Sequence, residues 1–104
     1  GLVGSEMCIR DRRYLIGDIS NARKALMKAV YLYGKAGNHF AEAEALLYLA
    51  RVEAVDQERG SYPRARAHYK HSIELYDFMQ NDIMKNAVLE EYQNFLKRTG
   101  YKGD

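Results

Sequence analysis

An internal repeat of 43 residues is the feature that most constrains the fold of this chain. Gly17, Gly60 and Gly103 are separated by that interval. The other identical pairs at this offset are Ala22/Ala65, Arg23/Arg66, Leu32/Leu75, Tyr33/Tyr76, Asn38/Asn81 and Leu46/Leu89. Self-similarity with a period of about 20 to 50 residues is typical of repeat architectures. We therefore expect about two copies of one supersecondary unit.

The apolar pattern predicts that each unit begins with an amphipathic helix. After Gly17 and again after Gly60, apolar or small residues recur at steps of three and four, the spacing that places side chains on one helix face. These stripes are Ile19, Ala22, Leu26, Ala29 and Tyr33, then Tyr62, Ala65, Tyr69, Ser72 and Tyr76. Asp18 and Ser61 stand where N-caps belong. No segment alternates as a strand would.

A second type of helix is predicted after Asn38 and Asn81, which are also N-cap residues, with Gly37 suited to ending the helix before it. Its apolar positions are Phe40, Ala43, Leu46, Leu47, Leu49 and Ala50, then Ile83, Leu89, Tyr92, Phe95 and Leu96. The prediction is an all-α chain with helices at about residues 18–36, 38–58, 62–79 and 82–98.

Composition excludes several classes of function. The 104 residues are 47% hydrophobic and 29% charged, with 16 basic and 14 acidic side chains and a net charge of +2. This near balance gives no field that would favour nucleic acid, and no apolar run is long enough for a membrane span. The single cysteine, Cys8, excludes a disulfide framework and a cysteine zinc cluster. A single domain in the cytoplasm is the default expectation.

Residues 2–11 resemble the in-frame translation of a transposase adapter used to build sequencing libraries. We therefore expect residues 1–12 to be non-native and residues 13–104 to be the repeat region. In this interpretation the chain is a fragment truncated at both ends, because residues 13–16 are the stump of a helix and a solenoid normally has about three repeats. The apolar side chains of the last helix would then lack a covering neighbour; they are Ile83, Val88, Leu89, Phe95 and Leu96.

Candidate catalytic and metal-binding patterns are weak. His68, His71, Glu74 and Asp77 follow one another on one predicted helix and could approach a metal, but a solvated outer face is the favoured interpretation. Residues 34–37, Gly-Lys-Ala-Gly, lack the spacing and the preceding strand of a phosphate loop. No Ser-His-Asp arrangement is present. We expect no enzyme activity, no cofactor and no metal.

The repeat units resemble the tetratricopeptide repeat family. Ala22 or Ala65, followed by a large residue four positions on and a small one three further, looks like the second helix of that repeat, and Leu46, Leu49 and Ala50 look like the packing positions of its first helix. The usual period is about 34 residues, so this chain is similar to the long-helix variety. Glu53 and Ser72 depart from the pattern, since they stand where an aromatic and an Ala are typical. The resemblance implies an α-solenoid of antiparallel helix pairs.

In the resembled family the first helices line a concave groove. The positions that correspond to it here are Glu44, Leu47, Tyr48, Arg51, Val55, Glu90, Glu91, Asn94 and Arg98. The resemblance implies a protein interaction scaffold that binds a partner peptide or helix, with flanking repeats of the same full-length chain and with neither nucleic acid nor membrane as partner. Tyr and Arg are residue types that often dominate interface energy, so Tyr48 and Arg51 are the predicted anchors. Ordinary packing is an equally good interpretation of Leu47 and Tyr48.

Two alternatives remain open. The array could be a regulatory region attached to an enzyme, sensor or DNA-binding domain outside this fragment. The second helices also form a basic back that could contact an acidic partner, although exposed cations usually only solvate a helix. These basic residues are Arg23, Lys24, Lys28, Lys35, Arg64, Arg66 and Lys70.

Overall fold

A computed structural model of the chain describes residues 12–56 and 61–102, which form four α-helices. Helix α1 spans Arg12–Ala36, α2 spans His39–Val55, α3 spans Ser61–Phe78 and α4 spans Asp82–Thr99. Consecutive helices pack as antiparallel neighbours, and these ranges contain no strand. The predicted all-α class is confirmed.

Three predicted helix ends are wrong. Helix α1 already begins at Arg12, so Asp18 lies inside it and is not an N-cap. Ser61 is likewise helical, and its buried hydroxyl accepts a hydrogen bond from Arg64 at 3.1 Å. Helix α2 ends at Val55 rather than at residue 58, because Asp56 has extended backbone angles. The adapter prediction for residues 1–12 and the third glycine of the repeat, Gly103, fall outside the described residues except for Arg12.

The turns after α1 and α3 share one backbone motif. Gly37 and, 43 residues later, Gln80 have positive φ angles of 72° and 58°, the left-handed conformation that ends a helix. The backbone N–H groups of Asn38 and Asn81 then donate to the carbonyl groups five residues earlier, at 3.0 and 2.9 Å. Both Asn side chains accept a backbone N–H three residues later at 3.1 Å, which confirms them as N-caps. The 43-residue sequence repeat is therefore matched by a repeated helix–turn–helix backbone geometry at these two turns.

The core lies between α2, α3 and α4. From the predicted α2 and α3 stripes it contains Ala43, Leu47, Ala50, Ala65, Tyr69 and Tyr76. Leu46, Leu49 and Ser72 of the same stripes are also buried. The stripe of α1 is only half-buried, and its last member, Tyr33, is 40% exposed. Phe40 and Ile83 were expected inside but are 48% and 84% exposed; the Phe40 ring meets α3 only edge-on, at Tyr76.

The inner face of α4 is covered by α3. Phe95 and Val88 are each 1% exposed, so the expectation that they lack a covering neighbour is wrong. The ring of Phe95 lies 5.6 Å from the rings of both Tyr62 and Tyr69, within the range of favourable aromatic contacts. These aromatic side chains fix α4 against α3.

None of the helices in the described part of the chain has both the length and the apolar character that crossing a membrane requires.

Replacing Ala65 tests this packing. Ala65 is 0% exposed, and the nearby Ser72 hydroxyl donates to the carbonyl of Ala43 at 2.8 Å, so α2 and α3 approach closely. Ala65→Leu overpacks this contact and is expected to lower the free energy of unfolding by about 1 to 3 kcal/mol. Ala67 is exposed on the same helix, and Ala67→Leu is the matched control with an effect within about 0.5 kcal/mol. Urea denaturation measures both; equal stability of the two variants would contradict the packing.

Candidate partner-binding face

A continuous exposed stripe runs the length of α2. It consists of Phe40, Glu44, Tyr48, Arg51 and Val55, all exposed. Their spacing of four, four, three and four residues places them on one side of the helix. Tyr48 is 47% and Val55 is 63% exposed, so an aromatic and an aliphatic side chain are accessible on the same helix face as a carboxylate and a guanidinium.

A matching stripe runs along α4, 43 residues further on. Its members are Ile83, Ala87, Glu91, Asn94 and Arg98, of which Glu91 alone is half-buried and the others are exposed. We call the two stripes, together with the exposed Glu90, the α2–α4 face. Sequence reasoning missed the two apolar residues that begin the stripes, although the 43-residue offset relates Phe40 to Ile83 as it relates Tyr48 to Glu91.

Eight of the nine predicted site residues lie on the α2–α4 face. The exception is Leu47, which is 6% exposed and belongs to the hydrophobic core. Its assignment to the binding site is therefore wrong, and ordinary packing is the correct interpretation. The reason is geometric, because Leu47 precedes Tyr48 by 100° of helix rotation and turns toward α3 instead of outward.

Glu91 joins three helices at the middle of this face. Its carboxylate accepts hydrogen bonds from Nε and Nη2 of Arg51 at 2.9 and 2.8 Å, and from the Tyr69 hydroxyl at 2.9 Å. The guanidinium of Arg51 also lies 5.4 Å from the centre of the Tyr48 ring, within cation–π range. The two predicted anchors are thus in contact with each other and with α4.

The electrostatics of this cluster keep its ion pair charged. The hydrogen bond from Arg51 lowers the pKa of Glu91, and the bond from Tyr69 adds to that shift. The same contact raises the pKa of Arg51. Burial, followed by the bond to Glu91, raises the pKa of the Tyr69 hydroxyl. Tyr69 is therefore a neutral hydrogen-bond donor that positions the Glu91 carboxylate.

Tyr76 lies two helical turns beyond Tyr69 on α3, but its hydroxyl, unlike that of Tyr69, is not hydrogen-bonded within the described part of the chain. Its side chain is 0% exposed, and its hydroxyl has no hydrogen-bond partner among the described residues. The ring meets Phe40 edge-on, with centroids 5.9 Å apart. Burial, and to a smaller extent Glu44 and Tyr48, raises its pKa. The hydroxyl thus lies beneath the beginning of the α2 stripe.

A second carboxylate, missed as a functional group by sequence reasoning, joins the first three helices. Glu53 is 1% exposed and accepts hydrogen bonds from Arg23 of α1 at 3.0 and 2.8 Å and from Arg64 of α3 at 2.8 Å. Arg23 also bonds to Asp56. The available signal was a glutamate at a position where the resembled repeat has an aromatic. Two of the arginines assigned to the basic back, Arg23 and Arg64, therefore bond to a buried carboxylate.

The remaining candidate sites show no ligand-binding geometry. Among the described residues, no group of three or more His, Asp or Glu side chains is placed to hold a metal ion. His68 is half-buried, and burial lowers its pKa, whereas His71 is exposed. Gly34 to Gly37 form the end of α1 and its turn.

No known family model, curated protein or solved structure matches this chain. The tetratricopeptide resemblance therefore remains a prediction. Arguments about function rest on the geometry of the α2–α4 face.

The Glu91 cluster predicts an acid-dependent loss of stability. Because the folded-state pKa of Glu91 lies below its usual value of 4.5, its contribution is fully present above that pH and is lost as the pH falls through the lower folded-state pKa. We expect Glu91→Gln to be less stable than the parent at pH 7 and to lose less stability between about pH 5 and pH 3. Urea midpoints across this pH range measure the difference. Glu90→Gln is the control, and an identical pH profile for the two variants would contradict the cluster.

Replacing Glu53 tests the contact that joins the first three helices. Glu53→Ala removes the carboxylate shared by two part-exposed arginines and is expected to lower the free energy of unfolding by about 1.5 to 3 kcal/mol, the range for lost hydrogen bonds to a charged group. Glu74→Ala removes an exposed carboxylate and should change it by less than about 0.5 kcal/mol. Thermal and urea denaturation provide the measurement. A Glu53→Ala protein as stable as the Glu74→Ala control would refute the role of Glu53.

Proposed function

We propose that this chain is part of a tetratricopeptide-like α-solenoid that binds a peptide or helical segment of a partner protein along the α2–α4 face. The proposed activity is non-catalytic. The observation that carries it is the cluster in which an exposed Tyr48 and an exposed Arg51 are held side by side by Glu91. Aromatic and arginine side chains are enriched among the residues that dominate protein interfaces.

The cluster lowers the entropic cost of binding at Arg51. A free arginine loses rotamer freedom when a partner immobilises it, at a cost of about 0.5 to 1.5 kcal/mol. Here Nε and Nη2 already bond to Glu91, while Nη1 has no hydrogen bond to another described residue. The guanidinium is therefore fixed in orientation and still has donors for a carbonyl or carboxylate of the partner.

The α4 stripe supplies the opposite side of the proposed site. Asn94 and Arg98 are exposed there, one and two turns beyond the Glu91 region. An amide that both donates and accepts, beside a cation, suits the main chain and the polar side chains of a peptide. These groups form the polar rim around the Tyr48 and Arg51 anchors.

The basic back is a weaker candidate for the binding surface. Arg23 and Arg64 bond to Glu53, which leaves Lys24, Lys28, Lys35 and Lys70 as its exposed cations in the described residues. Separate exposed lysines are strongly hydrated and contribute little to affinity. The partner is therefore assigned to the α2–α4 face.

Selection from a random-peptide phage library tests the proposal. Peptides enriched on the intact chain are synthesised and titrated against Tyr48→Ala and Arg51→Ala, each expected to weaken binding by about thirtyfold, which corresponds to about 2 kcal/mol. Lys28→Ala and Lys70→Ala are the matched controls, expected to weaken it less than about fivefold. Arg64 is unsuitable as a control because it bonds to Glu53.

Circular dichroism must show that all four variants keep their helices. The proposal fails if no peptide is enriched, or if the two lysine variants lose binding while the Tyr48 and Arg51 variants retain it. The second result would assign the interface to the basic back.

A further inference from the structure

We propose that the end of the α2–α4 face nearest the helix turns is a subsite for an apolar side chain of the bound peptide, whose neighbouring main-chain carbonyl accepts a hydrogen bond from the Tyr76 hydroxyl. We call this region, formed by Phe40, Ile83 and Tyr76, the turn-end subsite. The inference rests on the proposed function and specifies the ligand chemistry at one place in it.

The unpartnered hydroxyl of Tyr76 is the first observation. A buried polar group without a hydrogen bond is destabilising, and such groups are rare in folded proteins. Tyr69, on the same side of α3, shows how this chain satisfies a buried phenol, since its hydroxyl donates to Glu91. The Tyr76 hydroxyl has no such acceptor among the described residues. An acceptor supplied by a ligand would complete it.

The position of that hydroxyl is the second observation. The ring of Tyr76 packs edge-on against Phe40, and Glu44 and Tyr48 contribute, after burial, to the raised pKa of its hydroxyl. These three neighbours are successive members of the α2 stripe. The Tyr76 phenol therefore lies under the beginning of the α2 stripe, and the proposal requires the exposed Phe40 side chain to change rotamer so that a ligand can reach the hydroxyl.

The exposed apolar side chains provide the third observation. Phe40 and Ile83 occupy equivalent positions in the two repeats and are 48% and 84% exposed. On α4 the stripe runs from the apolar Ile83 to the polar Asn94 and Arg98, whereas the α2 stripe is apolar at both ends, at Phe40 and at Val55. An apolar side chain of a peptide would contact Phe40 and Ile83. The neighbouring main-chain carbonyl of the peptide would accept the hydrogen bond that the Tyr76 hydroxyl can donate. A peptide main chain supplies that carbonyl at every residue.

The stability of Tyr76→Phe distinguishes this proposal from an internal explanation. If the hydroxyl is unpaired in the free chain, its removal leaves the urea midpoint unchanged or raises it. Tyr69→Phe, the matched control, removes a hydroxyl that is bonded and should lower the midpoint. If Tyr76→Phe lowers the midpoint as much as Tyr69→Phe does, the hydroxyl already has an acceptor in the free chain, and the proposal is overturned.

Binding is measured with a minimal probe, N-acetyl-leucine N-methylamide, by NMR titration of the intact ¹⁵N-labelled chain. We expect saturable shifts at the amides of Phe40, Glu44 and Ile83, and affinity about fivefold weaker in Tyr76→Phe, the loss typical of one hydrogen bond. N-acetylglycine N-methylamide, which lacks the apolar side chain, should bind at least tenfold more weakly. Equal affinity of the parent and Tyr76→Phe for the leucine probe would overturn the proposal.

The two proposals fail in different ways. If the peptides selected by phage display depend on Tyr48 and Arg51 while the leucine probe is insensitive to Tyr76→Phe, the turn-end subsite is refuted and the proposed function stands. If the probe binds as expected but no selected peptide depends on Tyr48 or Arg51, the subsite stands and the assignment of the extended face fails.

Discussion

A carboxylate buried between two arginines fixes how the first three helices are arranged. Removing the charge of Glu53 from water is unfavourable unless both Arg23 and Arg64 reach it, so α1 and α3 must both pack close to the part of α2 that carries Glu53. The periodicity of the helix places Glu53 roughly opposite Tyr48 and its stripe. The side of α2 that carries the stripe is left for the surface because the opposite side is occupied by this ionic contact and the adjoining core.

A second glutamate makes a similar three-helix junction in a very different environment. Glu91 also accepts from an arginine and a further donor, but its side chain is 32% exposed and that of Arg51 is 47% exposed. Exposed pairs contribute little net stability because water competes for both charges. The Glu53 junction therefore constrains how the first three helices pack, whereas the Glu91 junction orients side chains at an exposed surface.

Local features of this fold could be predicted from the sequence, and features set by tertiary contacts could not. The 43-residue offset, the Asn38 and Asn81 caps and the α3 stripe depend on residues close together in the chain. The exposure of Phe40 and the burial of Leu47 depend on where α3 lies, and α2 is too apolar around its circumference for periodicity to decide between them. The Glu53 junction joins residues 30 and 11 positions apart, for which local patterns hold no information. The helix start predicted after Gly17 is wrong, since the helix already begins at Arg12; a glycine only weakens a helix and does not have to end it.

The two repeats share the backbone conformation of their turns but carry different side chains on the α2–α4 face. Gly37 and Gln80 adopt the same left-handed conformation, although this conformation is unfavourable for Gln and easy for Gly, so the packing of the following helix must be strong enough to hold the turn. At the α2–α4 face the equivalent positions instead pair Tyr48 with Glu91 and Arg51 with Asn94. Identical turns place the two stripes in register, and the different side chains make the face chemically asymmetric along and across its length. A peptide bound to such a face encounters different groups in its two possible directions, so this divergence between the repeats favours a single binding orientation.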